Sequence, residues 1–299
     1  MNVVLIPFFL AASVIVNDTS KWTFGPKYSY DLNMTYIMKT DPQEPVETMT
    51  LISELKCRPK AADNLFCHLQ NSTIVNIGKN RNTTREVETE QMFEIKFNER
   101  GVEGLIIEPP SRMEVVNILR KIANQFNVGV DWRKIERISQ AGEWQFMARE
   151  NSSMGNCATV YKITREELKT NTVEEEHIDF RLIVLPMIDD AISNLSIEKS
   201  RIACINPPRY VDFSSGILKM GRFVSKIQIN NRFEVSTEFD GKVRPPLSID
   251  SMNRMLSFKE IMQLNLKSIE PAQDELPSIF YGELIDLNIN TDIPSNFIN

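Results

Sequence analysis

The chain has 299 residues, 42% hydrophobic and 25% charged, enough to bury a core in one large domain or two ordinary ones and unlike a disordered composition. Its net charge is -6 and its pI is near 5.3, so it lacks the basic excess of a general binder of nucleic acid or anionic membrane. Eleven glycines and four cysteines exclude collagen-like, glycine-rich and disulfide-dense miniature classes, while the even cysteine count permits two bridges.

The first element is an apolar run without charge, Val3 to Val16. It is shorter than the ~20 residues a membrane helix needs, and Ala11, Ala12 and Ser13 supply small residues for cleavage. It reads as a secretory signal peptide over residues 1–16, with a signal anchor or a buried strand as the alternative, followed by a mature extracellular chain with no membrane span. The sequons at Asn17, Asn33, Asn71, Asn82, Asn151 and Asn194 agree with secretion and are candidate glycosylation sites. The terminal Asn296-Phe297-Ile298-Asn299 matches no lipidation or retention signal.

Beyond the leader, most of the chain alternates with the period of half-buried strands. Phe93, Ile95 and Phe97 share one face, a turn follows at Asn98 to Gly101, and Val102 to Glu108 returns. Cys157, Thr159, Tyr161 and Ile163 make another face, as do Ile178, Phe180, Leu182 and Val184. Phe223 to Phe239 reads as strand ending at a turn on Asp240-Gly241, and Leu256 to Ile269 reads as strand again. One segment has a different period. Ser111 and Glu114 have capping-box spacing, and Val115, Ile118, Leu119, Ile122 and Phe126 form one helical stripe, with Gly129 as a stop. The spacing predicts one amphipathic helix over about residues 111–127. The pattern is therefore mainly β, many antiparallel strands and one amphipathic helix, and a single helix lying across a large sheet could plug a barrel too wide for strand side chains alone to fill.

Several motifs in this order resemble a known family. Trp22-Thr-Phe-Gly25-Pro-Lys-Tyr28-Ser-Tyr30 resembles the W-x-x-G-x-x-Y-x-Y opening of vitellogenins. Phe93 to Ile106 resembles their F-x-I-x-F…G-x-V-x-G-L strand pair, with the helix placed straight after it. Met154-Gly155-Asn-Cys157-Ala-Thr-Val-Tyr161 resembles the G-x-C-x-x-x-Y strand beyond the helix, and Leu276 to Tyr281 is similar to the segment where the barrel hands over to the next domain. The resemblance implies the N-terminal barrel of a large lipid transfer protein of insect vitellogenin type, a large antiparallel β-barrel wrapped around one central amphipathic helix, over residues 17–275, with 276–299 where a helical domain would begin. It also implies a Cys157–Cys204 bridge. Cys57 and Cys67 flank a short turn-like stretch and fit a hairpin staple; all four also fit buried free thiols. Family members continue through a helical solenoid and lipid-lining sheets, regions this sequence lacks. The implied role is thus receptor contact or assembly within lipid transport and yolk-nutrient delivery, beside the alternative of a stand-alone secreted recognition module without lipid.

Enzyme chemistry finds no support. His68 and His177 stand far apart, and no H-E-x-x-H, G-x-S-x-G, phosphate loop or C-x-x-C is present. The acidic run before His177 and the pair Asp189-Asp190 read as solvated loops, so no catalytic residue, metal or cofactor is expected. Arg120, Lys121, Arg133, Lys134 and Arg137 gather on an acidic protein. By resemblance they are candidates for contact with a low-density-lipoprotein-type receptor or a larger lipid-carrying chain, because acidic receptor repeats attract a basic patch. They also fit the solvated face of the helix and its following loop. Trp132 and Trp144 read as core, and no nucleic-acid partner is expected.

Overall fold

The computed structural model describes residues 2–6, 10–14, 19–39, 45–60, 63–78, 82–87, 91–108, 112–131, 142–167, 180–184, 193–205, 217–229, 232–244 and 256–288. The N-terminal apolar run supplies β1 (Asn2–Ile6) and β2 (Leu10–Val14). A 3-10 turn at Thr19–Trp22 leads into three fourteen-residue strands, β3 (Pro26–Lys39), β4 (Glu47–Lys60) and β5 (Asn64–Ile77). Next come β6 (Asn82–Val87), β7 (Gln91–Asn98) and β8 (Gly101–Ile107), then helix α1 (Met113–Gln125). After the helix run β9 (Gly142–Ser152), β10 (Gly155–Glu167), β11 (Phe180–Val184) and β12 (Ser193–Ile205). The last strands are β13 (Ile217–Ile229), β14 (Phe233–Arg244), β15 (Leu256–Pro271) and β16 (Glu283–Ile285).

Thirteen strands form one antiparallel sheet in the order β16-β8-β7-β5-β4-β3-β15-β14-β13-β12-β10-β9, with β6 paired to β5. The sheet wraps α1, whose side chains meet β3, β14 and β15. Among the described residues no backbone ladder joins β9 to β8 or β16. β1 and β2 form a hairpin whose second strand pairs with β11 in a separate three-stranded sheet.

Strand alternation sets the core. Along β3, Tyr28, Tyr30, Leu32 and Met34 face inward; along β12, Leu195 and Ile197 do so. Phe126 seats between Tyr30 at 5.4 Å and Phe233 at 6.3 Å between ring centroids, which fixes the C-terminal end of α1 against β3 and β14. Cys57 and Cys67 are bonded and directly opposed across β4 and β5. Cys157 and Cys204 are bonded across β10 and β12, closing a 47-residue separation worth roughly 4 kcal/mol on a chain-entropy account.

Two local expectations change. Asp240-Gly241 is not a turn, because β14 runs through it and Gly241 pairs with both Met220 and Phe258. The pair instead marks a bulge: Asp240 Oδ1 accepts from the Arg222 N–H at 2.8 Å, and a Cβ on Gly221 would lie 2.0 Å from that oxygen. The β13–β14 ladder runs as far as Ile229 opposite Phe233. The helix also starts later than the capping box places it. Its N-cap is Arg112, with no side-chain cap bond, and Ser111 lies outside the described residues. Gly129 stands beyond the C-cap Phe126 and serves a packing role described next.

The C-terminal segment passes β4 at Arg58 before β16 joins the edge at β8. Arg58 holds it by donating to the Asp274 and Glu275 carbonyls at 2.8 and 3.1 Å, and Arg120 donates to the Asp286 carbonyl at 2.8 Å. Leu287 is buried in the core, whereas Phe280 and Tyr281 point outward.

Candidate functional site: a charged lumen around the helix

The period-2 pattern that buries Leu195 and Ile197 continues along β12 to Lys199 and Arg201, so both cations enter the interior. On β9 the same parity brings in Glu150. Its carboxylate meets the Arg201 Nε, accepts from Lys199 Nζ at 3.2 Å and accepts from the Tyr161 hydroxyl at 2.7 Å. Burial pushes the Glu150 pKa up, but Arg201, Lys199 and the Tyr161 hydroxyl outweigh it and hold the carboxyl below its ordinary value. Burial is also the main cause that pushes Lys199 down to about 8, against the opposing pull of Glu150. Tyr161 is raised by burial and by the adjacent carboxylate.

The polar path continues around the lumen. Arg201 Nη1 donates to Ser225 Oγ at 2.7 Å, Ser225 and Thr237 share a 2.9 Å bond, and Thr237 donates to Gln125 Oε1 on the helix at 2.8 Å. One turn earlier, Lys121 Nζ donates to Glu260 at 2.7 Å and to the Tyr36 hydroxyl at 3.0 Å. Low dielectric strengthens each of these bonds and raises the cost of breaking any one of them.

The same cluster sews the seam that the sheet ladder leaves open. Asn127, just past α1, accepts from the Val102 N–H of β8 at 3.1 Å through Oδ1 and donates from Nδ2 to the Asn151 carbonyl of β9 at 2.9 Å. Lys199 donates to the Asn127 carbonyl at 2.6 Å. Gly129, at φ 84°, passes so close that a Cβ there would lie 1.9 Å from Glu150 Oε2. One asparagine therefore bridges the two unpaired strands, and the buried quartet on β9, β10 and β12 holds it in place.

These positions overturn part of the basic-patch reading. Arg120 is fully buried and Lys121 nearly so, because beyond its exposed first turn at Met113 and Glu114 the helix is enclosed by the sheet. Arg120 is spent on Asn117 and the Asp286 carbonyl, Lys121 on Glu260 and Tyr36, and neither is available to an external partner. Arg133, Lys134 and Arg137 lie outside the described residues, as do Asn17, Trp132, His177 and Asp189-Asp190. Trp144 is half-buried and packs against the core. Asn71, Asn82 and Asn151 are exposed, while Asn33 and Asn194 are half-buried. Glu150, Lys199, Arg201 and Asn127 escaped attention in the sequence, although the parity of β9 and β12 was the signal that places three of them inside.

Beside Lys121, Asn124, Gln125, Thr237 and Glu260 lies a cavity of about 10 Å³, space for roughly one water. Among the described residues no group of three or more acidic, histidine or cysteine side chains is placed to hold a metal, and no helix is long and apolar enough to cross a membrane.

The family model of the vitellogenin N-terminal domain matches residues 22–201, well over half of the chain. The chain belongs to the vitellogenin N-terminal domain family. A solved structure of lipovitellin, described for its lipid–protein interactions, aligns with 93% of this vitellogenin-family chain at a TM-score of 0.61 and 13% identity. That likeness shows the fold, and the chain spans 28% of the lipovitellin chain it matches. Comparison with curated proteins found no match. The relationship is thus to a lipid-transport family, and the mainly β sheet wrapped on one helix is the fold that the sequence resemblance implied.

Proposed function

We propose that this chain is the N-terminal module of a secreted, vitellogenin-like lipid-transport and yolk-nutrient protein, contributing assembly or receptor contact rather than the lipid cavity. The observation that carries the reading is the occupied lumen. Among the described residues helix α1, a ring of buried charges and the aromatic cluster around Phe126 occupy the interior, and the cavity beside Lys121 and Glu260, about 10 Å³, is far below the volume of an acyl chain. Secretion is supported by the apolar leader, the sequons and the two disulfides, which persist in oxidising compartments. Non-enzymatic function is supported by family membership together with the absence of a nucleophile–base motif in the sequence.

For receptor contact, the basic residues left to consider are Arg133, Lys134 and Arg137. Their charge complements acidic receptor repeats and would give association that weakens with salt. The test is one pull-down series on purified secreted chain, using acidic low-density-lipoprotein-type receptor repeats, with lipid extraction of the same sample. The expected result is salt-sensitive capture lost in R133E/K134E/R137E, with no stoichiometric lipid in the extract. Stoichiometric lipid would overturn the division of labour, and capture unchanged in the triple variant would overturn the receptor surface.

A further inference from the structure

β6 is a free edge of the large sheet: among the described residues it pairs only with β5, and most of its six residues are exposed. Such an edge offers unpaired N–H and C=O groups to any other strand. Neighbouring apolar surface adds to the hazard, since Ile77 at the end of β5 and Ile52 on β4 are about half exposed. The edge carries little of the usual protection. It has no proline or lysine, and Arg85 and Glu86 are its only charges.

Two sequons bracket this strand. Asn82 is its first residue and pairs with Ile77. Asn71 immediately precedes Ser72, which pairs with Val87, the last residue of β6. The two asparagines thus stand at opposite ends of a strand about 20 Å long, and both are exposed. Asn71 sits at φ 53°, a left-handed position that asparagine tolerates, beside the register shift between Ile52 and Glu54. Its amide donates to Glu54 at 3.3 Å in an exposed contact that water replaces readily. Asn33 and Asn194, in contrast, are half-buried within paired strands.

We propose that N-linked glycans at Asn71 and Asn82 cover the free β6 edge and keep two copies of the chain from pairing through it. A glycan at each end sterically blocks the approach of a second strand while leaving the β5–β6 ladder intact. The proposal rests on the secreted reading given above, because the glycans are added in the secretory pathway, but it does not depend on lipid or receptor binding.

The test uses the full chain secreted from eukaryotic cells. Glycan release in heavy-oxygen water marks each formerly modified asparagine, and sedimentation reports the oligomeric state. Both Asn71 and Asn82 should be marked; an unmarked Asn71 or Asn82 overturns the proposal. Threonine substitutions remove the sequons without touching either asparagine, so the backbone at Asn71 is not disturbed. T73V/T84V should self-associate at concentrations where the parent stays monomeric. T73V/T84K also lacks both glycans but places a lysine on the edge, and it should return to the monomer. Unchanged sedimentation of T73V/T84V, or association that the lysine does not reverse, overturns the shielding role. Circular dichroism of each variant separates these results from misfolding, and receptor capture measured on the parent, T73V/T84V and T73V/T84K alike separates them from failure of the proposed function.

Discussion

The two sides of the lumen solve the same packing problem with different chemistry. Across β3, β4, β5, β7 and β8 the inward rows are mainly apolar and, among the described residues, carry no ion pair of their own, running through Tyr28, Cys57, Cys67, Phe93 and Ile107 in direct cross-strand register. Across β9, β10, β12, β13 and β14 the inward positions include Glu150, Tyr161, Lys199, Arg201, Ser225 and Thr237. The apolar side gains from burial alone and tolerates changes that keep volume and shape. The polar side depends on complete pairing, because each buried charge is costly once its partner is lost. The helix serves both, with Phe126 turned to the aromatic cluster and Gln125 and Lys121 turned to the polar path.

The largest expected effect comes from breaking the quartet at its anion. Glu150→Gln keeps the size but leaves Lys199 and Arg201 as buried cations without a countercharge, and it should cost about 3–5 kcal/mol in denaturant unfolding. The substitution also has a pH signature. Glu150 is held below the ordinary value of 4.5 in the folded chain, so its contribution is present above that pH and is lost as pH falls through the folded value. The variant should therefore show a shallower acid limb than the parent. Equal stability of parent and variant at pH 7 would mean that the polar side is not held together by its charges.

Next in size is the seam. Asn127→Ala removes the two side-chain bonds that bridge β8 and β9 and should cost about 2–3 kcal/mol, since both partners are backbone groups left without those bonds. Hydrogen exchange should locate the loss at Val102 and its neighbours. Uniform loosening of the whole sheet would argue that closure is carried elsewhere.

How much of this was legible beforehand divides along the same line. The apolar side could be read by alternation, as with Phe93, Ile95 and Phe97, because residue type and facing direction agree. On the polar side they conflict. Arg120 and Lys121 look like surface residues by type, because charged residues usually are, yet beyond its first turn the helix is enclosed by the sheet. Lys199 and Arg201 obey the parity of Leu195 and Ile197, and strict use of the period would have placed them inwards. Asp240-Gly241 has the chemistry of a turn, but its neighbours on β13 and β15 make it a bulge, and pairing across strands is not written locally. Asn127 carries no pattern at all; its role exists only where β8 meets β9.

Lys199 gives a smaller effect of known sign. Its folded pKa of about 8 lies below the 10.5 of an ordinary lysine. Between those values the unfolded chain binds the extra proton, so this group makes stability rise with pH from about 8 to 10.5. Lys199→Met should abolish that rise relative to the parent, although it lowers stability at pH 7 by leaving Glu150 with fewer partners. A parent curve parallel to the variant across this window would show that burial does not depress Lys199.

The smallest effect sharpens the comparison because its sign is opposite. Tyr30 lies on the apolar side, wholly buried, with a hydroxyl that has no hydrogen-bond partner among the described residues and a pKa raised by burial. Removing an unsatisfied buried oxygen while keeping the ring relieves a desolvation cost and preserves the edge contact with Phe126. Tyr30→Phe should therefore stabilise the chain by about 1 kcal/mol, whereas Tyr161→Phe, on the polar side, should destabilise it by a similar amount through loss of the bond to Glu150. The two substitutions delete the same atom from the same residue type. Opposite signs in parallel unfolding experiments would show that the wall each tyrosine faces decides the outcome, and equal signs would dissolve the distinction between the two walls.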